Sequence, residues 1–174
     1  MSRFEDEVER RRLESVARIK EVPISVLIWG PSPTAHSPLS ETRFKLREAL
    51  QSRGHLARFS EELYDPNMEL SMLAQQVTHV EAFDIVFSMP YSEGSIAEIH
   101  DFTRIPFVSQ KIVAFIDKKF NGGYSNQVLT QFESNATCRT QHYDGHELPD
   151  CIINSAMGLV GRLQEFYYLS GRRF

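Results

Sequence analysis

The chain has 174 residues, 41% apolar and 24% charged, with a net charge of −4 at pH 7 and a pI near 5.9. That is enough chain for one domain with a sizeable core, in the proportions of an ordinary soluble globular protein. The acidic balance argues against strong general nucleic-acid binding, which needs a basic surface, and no apolar run approaches the roughly 18 residues of a membrane span.

The start, Met-Ser-Arg-Phe-Glu-Asp-Glu, is charged where a secretory signal would be apolar. Cys138 and Cys151 form no CxxC pair. Free thiols and a cytoplasmic location are the expectation.

Residues 1–20 form a segment of their own, dense in Arg and Glu. They predict a helix with one thin apolar stripe of Phe4, Val8, Val16 and Ile19, packed on the domain or on a partner. The remaining residues, 21–174, predict an α/β domain. Ile24–Trp29 is almost continuously apolar and suits a strand covered on both faces; Gly30-Pro31 ends it. A helix over Ser40–Arg53 follows, with Gly54 just past its end, then a short strand over His55–Phe59. The spacing of Leu70, Leu73, Val77 and Val80 predicts a helix over Met68–Glu81 with those residues inward.

Asp84–Met89 predicts a central strand ended by Pro90, and Gly94 to Phe102 a helix. Lys111–Ile116 is the next strand, Asn121-Gly122-Gly123 a loop, Gln127–Glu133 a short helix and Thr140–Tyr143 a weaker fifth strand. A closing helix over 151–169 turns Ile152, Ile153, Ala156, Leu159, Val160, Leu163 and Phe166 inward. Alternating strands and helices predict a doubly wound, flavodoxin-like or Rossmann-like parallel sheet of five strands in the order 2-1-3-4-5. Ligands of such sheets bind at the carboxyl ends of the strands. The loops 30–37, 90–93 and 117–125 lie on that edge.

The informative segment runs from Phe83 to Glu98, with Tyr91-Ser92-Glu93-Gly94-Ser95 between strand and helix. Gly94 permits a tight turn and close approach of a ligand to the backbone. The following helix presents free N–H groups and the positive end of its dipole. Ser95-x-x-Glu98 also fits a capping box, with Ser95 as the cap and Glu98 reaching back; that role competes with a reactive one for Glu98. Tyr91 is placed to stack on a base, and Trp29 is expected to face the core. His36, His100 and Asp101 are weaker candidates. His142, Asp144 and His146 suggest a metal, but no fourth ligand stands at a recognisable spacing. Tyr124 and Asn126 are placed to close the pocket or reach a neighbouring subunit's.

These motifs resemble, in order and spacing over residues 24–116, the nucleoside 2-deoxyribosyltransferase-like family. Ile24–Pro31 resembles its first strand, which ends in Ala-Gly-Pro; Phe83-Asp84-Ile85-Val86 resembles its Ala-Asp strand; Gly94-Ser95-x-x-Glu98 resembles its Asp-Ser-Gly-Thr-x-x-Glu turn. The resemblance implies that Glu98 is a nucleophile attacking the anomeric carbon of a ribosyl or deoxyribosyl group, with Gly30, Pro31, Asp84, Tyr91, Ser92, Gly94 and Ser95 binding the substrate. Two acids of the family that handle the base are replaced here, by Ser92 and by Gln76. A pyridinium base, which leaves without protonation, suits such a site better than a neutral purine.

The implied function is an N-glycosidase or (deoxy)ribosyltransferase acting on a nucleoside or nucleotide, with no cofactor or metal. NAD is one such substrate, and relatives of the fold resemble effectors of bacterial antiphage systems. The two replacements favour the alternative, a nucleotide-binding sensor or regulatory subunit without catalysis; a scaffold working through the residue 2–20 helix is a third class. A homo-oligomer is implied, with the 151–169 helix or the 121–126 loop near the interface, as is a regulatory protein bound through the amino-terminal helix.

Overall fold

Five short segments rich in β-branched and aromatic residues make the sheet: β1 (Ser25–Trp29), β2 (Leu56–Phe59), β3 (Ile85–Ser88), β4 (Ile112–Asp117) and β5 (Arg139–Tyr143). The computed structural model, which describes residues 3–120 and 139–171, pairs them all in parallel. Their order is β2-β1-β3-β4-β5, as the strand–helix alternation predicts.

Side chains alternate across the pleat, so each central strand feeds two cores. Val26, Ile28, Ile85, Phe87, Val113 and Phe115 enter one core; Leu27, Val86, Ile112, Ala114 and Ile116 enter the other. Helices cover both. The first face carries α2 (Pro38–Ser52), through Leu39, Leu46 and Leu50, and the closing helix α6 (Asp150–Leu169), through Ile152, Ala156, Leu159 and Val160. The second carries α3 (Met72–Ala82), α4 (Glu93–Thr103) and the short α5 (Pro106–Ser109), through Val80, Ile96, Ile99, Phe102 and Val108. Within α4, the side chains of Glu93, Ala97, Glu98, His100 and Thr103 lie outside the description.

Three features depart from expectation. Helix α3 starts at Met72, not Met68, because the Ser71 side chain caps it by accepting from Ala74 N at 3.2 Å. The preceding loop is held by the buried Gln75 amide, bonded to Asp65 N and O and to Leu70 O. Leu70 and Leu73 are therefore exposed, and only Val77 and Val80 of the predicted set pack inward. At the end of α6, Phe166 is 63% exposed and Gln164 is buried in its place. The Gln164 Nε2 donates to Lys20 O and Val22 O, tying the sheet entry to the last helix. Finally, α5 was not predicted; Pro106 at its first turn starts it. Gly54 follows α2 at φ 82°, as expected.

The amino-terminal helix α1 (Arg3–Lys20) forms as predicted, yet none of its residues is buried. The predicted 127–133 helix, the 121–123 loop and Cys138 lie outside the described residues; Cys151 is a free thiol. No described helix is long and apolar enough to cross a membrane.

Candidate functional site

The sheet reverses its build direction between β1 and β3. The chain leaves β1 for β2 on one side and β3 for β4 on the other, so the two exit loops diverge and leave a crevice. A cavity of about 460 Å³ opens there, a size suited to a small ligand. Trp29, Gly30, Ser88 and Met89 come from the strand ends. Met72, Leu73 and Gln76 come from the first turns of α3; Tyr91, Ser95, Ile99 and Phe102 come from α4 and the loop before it.

The β1 exit loop is shaped by a residue that the sequence did not single out. Arg43 of α2 is 1% exposed. Its guanidinium donates to Ile28 O at 2.9 Å, to Gly30 O at 3.2 Å and to Pro31 O, and forks onto Glu61 with two 3.0 Å bonds. It also lies over the Phe59 ring at 4.5 Å. Burial would raise the Glu61 carboxyl, but the Arg43 hydrogen bond leads the opposing effects and holds it below its usual value. Sequence periodicity misses Arg43 because an arginine on a helix is ordinarily solvated.

The same contact explains Gly30. A Cβ there would meet Arg43 Cδ at 2.7 Å and Met89 Cβ at 3.2 Å. Gly30 lines the cavity; Pro31 is buried behind it and acts through its carbonyl on Arg43. Gly94, where the sequence suggests close approach of a ligand, is not among the residues that line the cavity. Gly94 is exposed, the second residue of α4, and a Cβ on it would meet only Ser92 Oγ at 3.8 Å.

The cap of α4 also sits elsewhere than expected. Ser92, not Ser95, is the N-cap: its Oγ accepts from Ser95 N at 3.2 Å, and Ser95 Oγ accepts from Ser92 N and Tyr91 N, both at 3.0 Å. The two serines close the box between themselves. Glu98 is then the sixth residue of α4, more than a turn past the cap. It stands three residues after Ser95 and four before Phe102, both of which line the cavity.

Trp29 is not purely a core residue. Its ring tilts against Phe102 at 4.9 Å and lines the cavity, and its Nε1 is buried with no partner among the described residues. Tyr91 is 54% exposed at the rim. The Gln76 side chain is in the lining with no hydrogen bond to another described residue, and Asp101 is exposed at the edge. No protein-family model matches the chain, and no curated protein matches it in sequence.

Asp84 does not reach this site. It precedes β3 at the amino edge, four residues from Ser88 and so roughly 13 Å away along the strand. There its carboxylate accepts from Ser25 N at 2.8 Å, Ser25 Oγ at 2.7 Å and Tyr167 OH at 3.1 Å. His36 is exposed in the β1 exit loop at φ 46° and does not line the cavity. Asp144 Oδ1 accepts from His146 N at 3.1 Å, and no group of metal-binding side chains exists among the described residues. Tyr124 and Asn126 lie outside the described residues, as does the His100 side chain.

The lining residues missed in sequence are Ser60, Met72, Leu73, Ser88, Met89, Ile99 and Phe102. The spacing of Leu73 fits a core stripe, yet its side chain lines the cavity instead. Ser71, three residues before Ala74, was the available clue that the helix starts later.

Proposed function

We propose that the cavity is the active site of an N-glycosidase or ribosyltransferase acting on a nucleoside, with Glu98 as nucleophile. The observation that carries this reading is the cap of α4. Ser92 and Ser95 complete the capping box, so the structural role that competed for Glu98 is filled by another residue. Helical periodicity puts position 98 on the strip of α4 that also bears Ser95 and Phe102.

In the reaction, the Glu98 carboxylate attacks the anomeric carbon as the C–N bond breaks, and the bonding pair leaves with the base. Water, or a second base, then displaces the carboxylate and restores it. The base would lie against Tyr91 and Trp29, where the Gln76 amide offers both a donor and an acceptor.

Charge narrows the substrate. No Lys, Arg or His is among the described lining residues, and residues 121–138 contain none in sequence. Among the described residues, a phosphate deep in the cavity would meet no fixed cation. The group bound there is accordingly an uncharged nucleoside, or the pyridinium nucleoside end of a dinucleotide such as NAD with its phosphates outside.

One observation favours a second reading, ligand binding without turnover. The Ser92 hydroxyl is engaged in the helix cap, and Gln76 is an amide, so neither supplies the acid that a neutral leaving base needs. Incubation with nucleosides, nucleotides and NAD, followed by chromatography for free base, separates the two. The expected result is release from at least one substrate, lost about 10³-fold or more in Glu98→Gln, with a melting temperature within the span of about 1 kcal/mol. Full activity in Glu98→Gln overturns the assignment; a ligand that raises the melting temperature without base release supports binding alone.

A further inference from the structure

An 18-residue helix with no buried residue is unusual, because most helical stability in proteins comes from packing one face. Helix α1 is internally braced by Arg10 to Glu7 and Glu14, and by Arg12 to Glu9, but exposed pairs of this kind contribute only tenths of a kcal/mol each. Its apolar residues remain open: Phe4 is 76% exposed and Val8 50%. At 3.6 residues per turn, Phe4, Val8, Val16 and Ile19 share one side of the helix.

That stripe runs into a groove. Val16 and Ile19 form one wall, and Met157, Val160 and Gly161 of α6 form the other, enclosing about 730 Å³. A Cβ on Gly161 would have nothing within 4 Å, so a glycine in a helix interior leaves this wall open where an alanine would favour the helix.

The charges of α1 divide by half. Residues 3–9 carry four carboxylates against one arginine; residues 10–20 carry five cations against one carboxylate. The helix dipole rewards Glu5 and Asp6 in the first turn and Arg18 and Lys20 in the last. It does not call for the change of sign between Glu9 and Arg10 in the middle.

We infer that α1 is a self-association element, and that two copies of this chain pair their α1 helices antiparallel about a two-fold axis. A two-fold contact must be self-complementary, and a helix acidic in one half and basic in the other is so only when antiparallel. With the axis near Arg12, Val8 faces Val16 of the second copy, Glu5 comes beside Lys20 on the flank of the stripe, and Phe4 arrives beside Ile19 and Lys20 at the mouth of the groove. The inference does not depend on what the cavity binds.

The test uses the full chain in sedimentation equilibrium at micromolar to hundred-micromolar concentration, with far-UV circular dichroism to verify helix content. Wild type is expected to be a dimer. Glu5→Arg with Asp6→Arg, and separately Arg18→Glu with Lys20→Glu, are each expected to be monomeric, and an equimolar mixture of the two variants to dimerise, because each then meets the opposite sign. As a second readout, Val8→Cys mixed with Val16→Cys is expected to give an intermolecular disulfide, while Val8→Cys alone gives none through that position; two Val8 positions would lie about 12 Å apart along the axis. A monomeric wild type, a mixture that stays monomeric, or cross-linking of Val8→Cys to itself overturns the inference.

Discussion

Two glycines at the same sheet edge have opposite demands. Gly30 sits where any side chain collides with Arg43 Cδ at 2.7 Å, and Arg43 is held by five hydrogen bonds to the backbone and Glu61. Gly30→Ala should destabilise the fold by about 1–3 kcal/mol, the scale of overpacking a filled site. Gly94 has open space around it on an exposed helical turn, so Gly94→Ala should be neutral or stabilise by up to about 1 kcal/mol. Urea unfolding of both variants checks the pair; equal effects would show that Arg43 does not set the requirement. The strand-ending Gly30-Pro31 was legible in sequence. Its reason was not, because Arg43 is 13 residues further on and meets Gly30 only after α2 folds back.

At the scale of elements, β1 and β2 are joined at their start through a buried histidine. His55 Nδ1 accepts the Ile24 N–H at 3.3 Å. Burial, and after it the charge of Arg53, holds His55 below its ordinary pKa of 6.5. The unfolded chain thus takes up the proton more readily. The contribution of His55 is fully present above about pH 6.5 and is lost as pH falls through the lower folded value. His79 of α3 is shifted the same way by burial, whereas Glu7, Glu9 and Glu61 are held low and act only below their ordinary 4.5. Urea unfolding at about pH 7.5 and 5.5 should show wild type losing more stability than His55→Gln. An equal loss would show that His55 does not couple to folding. Helix α4 makes a parallel point about legibility. Its presence was plain from Gly94 to Phe102, but Ser92 and Ser95 both suit a cap, and the choice rests on where β3 delivers the chain.

Across the whole molecule, the two edges of the sheet divide their tasks. The amino edge is cross-linked by polar groups: Asp84 joins β1 to α6 through Ser25 and Tyr167, and Lys111 Nζ donates to Val80 O, Glu81 O and Phe83 O at the end of α3. The carboxyl edge carries the cavity. Asp84→Ala should therefore cost about 2–3 kcal/mol, the scale of hydrogen bonds to a charged group, while leaving ligand binding by the folded protein unchanged. Melting temperature and calorimetric affinity measured together check this; a loss of affinity in the folded variant would return Asp84 to the site.

The sequence by itself determined the strands, their parallel order and the carboxyl edge with the loops 30–37 and 90–93, because period-two and period-3.6 apolar patterns are local and right-handed crossovers leave few layouts. Tertiary structure alone decided which of the motif residues share the cavity. Asp84 and Ser88 lie four residues apart on one pattern, yet on opposite edges. Gln76, Trp29 and Leu73 meet only because β1 and β3 lie side by side at the point where the strand order reverses. A side chain's role follows from which buried groups surround it, and those are supplied by distant parts of the chain.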